Sequence, residues 1–271
     1  MIGLSAALVL AHGSLDEQLA MMDRLVEASP DHPRHRLRRG ELRRAHAEEH
    51  RGDPAAFRKD VEAAELDFAR ALELAPGFHD VLLARGRLRL EAGRAADARA
   101  DLDVFCREVP EHPGGHLFRG RALARLARRA EAAEAFTRAI ALSPSPGPEI
   151  FLERATVAAN PEEALAGLEE GRRRLGDLVT LDLAALDVEV ELGRLDDALA
   201  RCARWVERPG RCEEWQWRRA QLLRKSGCPA EARAACEAGL ASLETLPPSR
   251  RGTPAVRDLE ARLRGELAAN R

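Results

Sequence analysis

The sequence predicts an all-α fold, an α-solenoid of about seven stacked helix pairs closed by a C-terminal capping helix. The first observation behind this is a ladder of alanines. Ala64, Ala98 and Ala132 stand 34 residues apart, and each is followed twelve residues later by a proline, Pro76, Pro110 and Pro144. Ala164, Ala198 and Ala232 extend the ladder at steps of 32, 34 and 34. The second observation is a set of glycines in register with it. Gly86 and Gly120 lie ten residues beyond the first two prolines, and Pro30 to Gly40 repeats that step. A fixed period of this length belongs to arrays in which each unit buries its apolar face against its neighbours. The third observation is composition: alanine, leucine, arginine and glutamate dominate, tyrosine is absent and aromatics reach only 4%. That mixture favours helix over strand.

The elements follow in order. Leu4–Ala11 is apolar and Val9-x-Ala11 resembles a small-residue cleavage site, but the basic start and the length of a complete leader are missing. Segment 1–11 is therefore either part of an export signal or the first helix of a repeat at 1–32. No other apolar run approaches the ~20 residues of a membrane span. The repeat at 33–78 is twelve residues longer than the period, with the surplus around Glu48–Phe57. This predicts two lengthened helices and a projecting hairpin, with Asp53 capping the second helix and Pro54 at its first position. In the repeat 79–112, Leu82, Leu83, Gly86, Leu88 and Leu90 build the first helix and Gly93 the turn, before Ala98, Leu102 and Phe105 face the core. In 113–146, Ala132, Ala135, Phe136, Ala139 and Ile140 form a helical apolar stripe, and Ser143-Pro144 ends it. Repeats 147–178, 179–212 and 213–246 are weaker copies. Pro247-Pro248-Ser249 breaks the array, and 253–269 reads as the cap, with Thr253 as N-cap and Pro254 at N1.

These units resemble the tetratricopeptide repeat, whose pattern places a glycine in the first helix, A-x3-F in the second and a closing proline. Gly86 and Gly120 match the glycine. Ala64-x3-Phe68 and Ala132-x3-Phe136 match the second-helix pair, softened later to Ala198-x3-Cys202 and Ala232-x3-Cys236. The tryptophan and tyrosine slots depart from the pattern, holding Leu82, His116 and Leu123. The resemblance covers nearly the whole chain. It implies a right-handed α-solenoid whose first helices line a concave groove, and a non-catalytic scaffold or adaptor that binds a protein or peptide there.

Charged residues make up 32% of the chain, yet the net charge is −2. Global charge gives no reason to expect nucleic acid. No glycine-rich phosphate loop, G-x-S-x-G or Cys/His pairing occurs, so neither cofactor nor enzyme is expected. The five cysteines, Cys106, Cys202, Cys212, Cys228 and Cys236, are odd in number and irregular in spacing, which argues against a disulfide framework or zinc site. Paired acids such as Glu162-Glu163 and Glu169-Glu170 read as salt-bridged surface. Arg51-Gly52-Asp53 spells an integrin-type tripeptide, but a helix-ending glycine before a helix cap explains the same residues. His46-x-x-Glu49-His50 matches the inverted zincin motif. It places two histidines on one helix face and fixes no third ligand, so a metal or metallohydrolase site is the second reading of this hairpin, beside a plain solvated helix end.

Registered on the glycines, the groove face carries Leu37, Arg38, Glu41 and Arg44, then Leu83, Arg87 and Glu91, then Leu117, Arg121 and Arg125, and late in the chain Trp217, Gln221 and Arg224. Arginines outnumber acids, which suits carboxylates or phosphates. The candidate binding residues are Arg38, Arg44, Arg87, Arg121, Arg125, Trp217 and Arg224. A chaperone-type carboxylate clamp is not expected, because it needs asparagines and lysines, and this chain has only Asn160 and Asn270 and almost no lysine. Single-stranded nucleic acid along the arginines is a third reading, set back by the scarcity of aromatic stacking platforms. Trp205 is expected to pack. Trp215 and Trp217 lie two apart, so at least one is expected to be exposed or to face the groove.

Overall fold

The computed structural model describes residues 13–208 and 212–269. Segment 1–11, with its two readings, lies outside the described residues. Among those described there are fifteen helices and no strand. The chain divides into two compact units, one ending at Ala159 and the other beginning at Asn160. The first contains α1 (Leu15–Ala28), α2 (Pro33–Glu49), α3 (Pro54–Leu74), α4 (Asp80–Glu91), α5 (Ala95–Glu108), α6 (Pro113–Arg125), α7 (Arg129–Leu142) and α8 (Pro148–Thr156). The second contains α9 (Pro161–Leu175), α10 (Val179–Glu191), α11 (Leu195–Val206), α12 (Glu213–Lys225), α13 (Pro229–Glu244), the short α14 (Pro248–Arg251) and α15 (Pro254–Ala269).

Local chemistry sets the boundaries. Proline opens α2, α3, α6, α8, α9, α13 and α15, where its missing N–H costs no helix bond. Asp53 caps α3 by accepting from the backbone N–H groups of Ala55 and Ala56, as the sequence led us to expect. Those bonds also hold its carboxyl below the ordinary range. Ser14 and Glu17 form a reciprocal capping box on α1, and Asn160 caps α9 through Glu163 N–H. Thr253 behaves otherwise: its hydroxyl donates to the carbonyl of Arg250. Inside the pairs α4–α5, α6–α7, α10–α11 and α12–α13, the turn has a left-handed residue. Gly93, Gly193 and Gly227 fill it, and Ala127 takes the same conformation at φ 57°. The longer repeat lengthens both its helices, to 17 residues in α2 and 21 in α3, against 12 in α4 and 14 in α5.

The alanine ladder is the seam of each pair. Ala64, Ala98, Ala132, Ala198 and Ala232 are fully buried. Four residues on from them, Phe68, Leu102, Phe136, Cys202 and Cys236 are also buried. The large members press on glycines of the preceding helix. A Cβ added at Gly40 would stand 2.5 Å from the Phe68 ring, and one at Gly120 would stand 2.8 Å from Phe136. Where the slot holds cysteine, the facing helix is larger. Leu186 shares a buried cluster with Cys202, and Ala220 shares one with Cys236. Burial pushes these thiols up, to about 12 for Cys202 and about 11 for Cys236. They are neutral packing groups rather than nucleophiles.

Three residues past the ladder alanine is a second slot, which holds alanine after Ala132 and Ala232 and buried charge after Ala64, Ala98 and Ala198. Asp67 receives Arg36, Arg39 and Arg43 of α2 at 3.4, 2.6 and 2.8 Å. Asp101 receives Arg85 and Arg89 of α4, both at 2.8 Å. In the second unit the slot holds Arg201, which donates to Asp182 and Glu189 of α10 and to Glu169 of α9. Burial works against the Arg201 charge, but the bonds to Glu189 and Glu169 outweigh it and raise its pKa above the ordinary arginine value.

Candidate functional site

In the first unit, the first helices α2, α4 and α6 carry the five predicted arginines. Three of the five are tied to the next or previous first helix. Arg44 on α2 donates to Glu91 on α4 at 2.8 Å. Arg125 on α6 donates to the carbonyl of Leu90 on α4. Arg121 on α6 grips Glu153 on α8 with two bonds, 2.9 and 2.8 Å. Arg38 pairs with Glu41 of its own helix at 3.6 Å. These bonds run between neighbouring repeats and brace the face they line.

Arg87 is different. Its guanidinium lies over the Phe118 ring, 4.7 Å from the centroid, and Arg121 lies over the same ring at 5.2 Å. Its Nε is buried without a hydrogen-bond partner among the described residues. Burial, with the charge of Arg44 added, pulls its pKa below the ordinary arginine value, while Glu91 and Glu41 oppose the change. Arginine remains a cation regardless. A buried donor left unmade is costly, so the side chain has bonding capacity to offer an incoming acceptor. Beside it, Arg121, Ala124, Arg125, Phe136, Glu153 and Thr156 line a hollow of about 410 Å³.

In the second unit, Arg224 on α12 donates to Glu266 on α15. Trp217 is half-buried in the cluster with Leu259 and Leu263, and the guanidinium of Arg262 lies 4.4 Å over its ring. Trp215 is buried and stacks flat on Trp205 at 5.4 Å. Trp205 packs as expected and donates to Asp182 at 2.9 Å. Neither Trp215 nor Trp217 is fully exposed: Trp205 covers Trp215, and the cap partly covers Trp217.

The histidine hairpin gathers a third group, but not Glu49, which is exposed. Asp60 on α3 meets His46 Nδ1 at 2.8 Å and His50 Nδ1 at 3.6 Å. Sequence reasoning missed Asp60 because its place depends on how α3 lies along α2. It missed Glu153 for the same kind of reason, the register between two first helices.

A family model described as tetratricopeptide repeat matches residues 51–113, 83–146 and 183–247, together more than half of the chain. Comparison with curated proteins finds no match. Among solved structures, a tetratricopeptide repeat protein from Parabacteroides merdae ATCC 43184 superposes with a TM-score of 0.58 at 14% identity, covering 97% of each chain. PilW, a type IV pilus biogenesis factor, gives 0.59 at 18% identity over 76% of this chain and 90% of its own. YrrB, described as having an unusual peptide-binding site, gives 0.51 at 15% identity over 64% and 91%. At such identities these likenesses speak for the fold alone. No helix among the described residues is long and apolar enough to cross a membrane.

Proposed function

The chain belongs to the tetratricopeptide-repeat family, and on that premise we propose that it is a non-catalytic scaffold that holds an anionic protein or peptide segment on the first-helix face of its first unit. The observation that carries this reading is Arg87. It is the groove arginine whose Nε has no acceptor, and it is held in place by Phe118 instead of by a carboxylate. A ligand carboxylate that draws the guanidinium off the Phe118 ring would supply the acceptor it lacks, with bidentate geometry available. The other groove arginines contribute positive potential while bracing the repeats. YrrB, a similar fold, is described as binding peptide, which supports the class of partner.

The test uses fluorescence polarisation of acidic, neutral and basic peptides with the full chain and with Arg87→Glu. Arg87 links α4 to α6 only through the Phe118 ring, so the melting curve of the variant is compared with wild type before its binding is read. Selective binding of acidic peptides, lost in Arg87→Glu, is the expected result. Equal binding by both proteins would remove the site from this face. A homopolymeric RNA bound in its place, with steep salt dependence, would favour the nucleic-acid reading.

A further inference from the structure

We propose that His46, His50 and Asp60 form a binding site for a divalent transition ion of the zinc type, with Asp16 supporting it from the start of α1. The motif alone supplies two imidazoles one helical turn apart. The structure adds a carboxylate from α3, and one ligand atom from each residue lies within 4.8 Å of the others. A tetrahedral ion with bonds of roughly 2.0–2.2 Å sets its donors roughly 3.3–3.5 Å apart. The edge from Asp60 to His46 Nδ1, at 2.8 Å, opens slightly to admit the ion, and His50 would join through Nε2. The side chains of His46, His50 and Asp60 are 20%, 39% and 16% exposed, so the cluster is sheltered yet open to entry.

The hydrogen bonding of His46 points the same way. Nδ1 faces Asp60 at 2.8 Å and Nε2 faces Asp16 at 3.3 Å. A neutral imidazole has one N–H, so one of these carboxylates meets a nitrogen lone pair. A cation bound between His46 and Asp60 removes that conflict. The remaining N–H then donates to Asp16, the arrangement by which ligating histidines are usually oriented. His50 is oriented too, by Nδ1 against the carbonyl of His46 at 3.0 Å. That leaves its Nε2 lone pair for the metal. The donor set of two imidazoles and one carboxylate suits zinc, cobalt or nickel rather than magnesium or calcium. Glu49 takes no part. Its exposure separates this site from the hydrolase pattern that the motif suggests, and the ion would fasten α1 to the lengthened hairpin.

Chelator-stripped full chain would be titrated with Zn2+ by calorimetry and with Co2+ by visible absorption. The expected result is one ion per chain, with cobalt bands of a tetrahedral site. His46→Gln/His50→Gln and Asp60→Asn should abolish binding while circular dichroism stays helical. Asp16→Asn should weaken binding about 10- to 100-fold, and Glu49→Gln should leave it unchanged. The proposal is overturned if the wild type takes up no ion. Retention of binding by a folded His46→Gln/His50→Gln variant, or its loss in Glu49→Gln, would overturn it equally. None of these readouts depends on the peptide reading.

Discussion

The first and second units solve one packing problem with opposite choices. In the first, the slot four residues past the ladder alanine holds Phe68, Leu102 or Phe136, and the facing helix shrinks to Gly40, Gly86 or Gly120. In the second, the slot shrinks to Cys202 or Cys236, and the facing side grows to Leu186 or Ala220. Charge is exchanged in the same way. Arg89 and Asp101 stand twelve residues apart in the first unit, and Glu189 and Arg201 stand twelve apart in the second. The polarity is reversed while the pairing is kept. Between Gly86–Leu102 and Leu186–Cys202, and between Arg89–Asp101 and Glu189–Arg201, the seam keeps a pairing while the residues change sides.

The widest separation between the units should come from removing the hub of each charge cluster. Arg201→Ala leaves Glu189 unpaired at 4% exposure and leaves Asp182, at 1%, with only Trp205 and Arg204. A loss of about 3–5 kcal/mol in urea unfolding is expected. Asp101→Ala should cost less, roughly 1–3 kcal/mol, because Arg85 and Arg89 are partly exposed and Arg89 also bonds Glu65 at 2.9 Å. Equal losses would mean that the two clusters are equivalent and that burial does not set their worth.

Size exchange comes next. Cys202→Phe adds a ring opposite Leu186 and should destabilise by roughly 1–3 kcal/mol. Adding Leu186→Gly rebuilds the first unit's pairing and should recover most of that loss. A double variant no more stable than Cys202→Phe would show that the seam is not complementary in the way the two clusters suggest.

A smaller effect should appear with pH. Burial raises the Glu169 carboxyl, but its bonds from Arg201 and Arg172 outweigh this and hold it below the ordinary value. A depressed carboxylate stabilises the fold above its unfolded pKa of about 4.3, and that contribution is lost as pH falls through the folded value. Melting temperatures of wild type and Glu169→Gln should therefore differ by a constant amount near neutrality and converge in acid. Divergence on acidification would contradict the assignment.

The smallest effect concerns Ala127, which adopts the left-handed turn conformation that Gly93, Gly193 and Gly227 adopt elsewhere. Relief of strain in Ala127→Gly is partly offset by the entropy of glycine, so a gain of about 0.5 kcal/mol is expected. Gly93→Ala should move the other way by about 1 kcal/mol. A destabilised Ala127→Gly would locate the strain elsewhere.

The sequence by itself determined the periodic part of this protein. The alanine ladder, the proline breaks, the Asp53 cap and the membership of the family follow from local chemistry repeated at a fixed step, so they are legible along the chain. It also placed the candidate arginines on the first helices of their repeats. Tertiary structure alone decided what those arginines do. Arg44, Arg121 and Arg125 meet acceptors on neighbouring helices, while Arg87 meets a ring, and that division depends on how far one helix slides along the next. The same applies to Asp60, which joins the histidines from fourteen residues beyond His46, and to Trp217, covered by a helix some forty residues later. A helix fixes its own faces through backbone hydrogen bonds, but its offset against a neighbour is set by many weak side-chain contacts at once. No short motif encodes that offset, so partners across the seam emerge only when the packed helices are seen together.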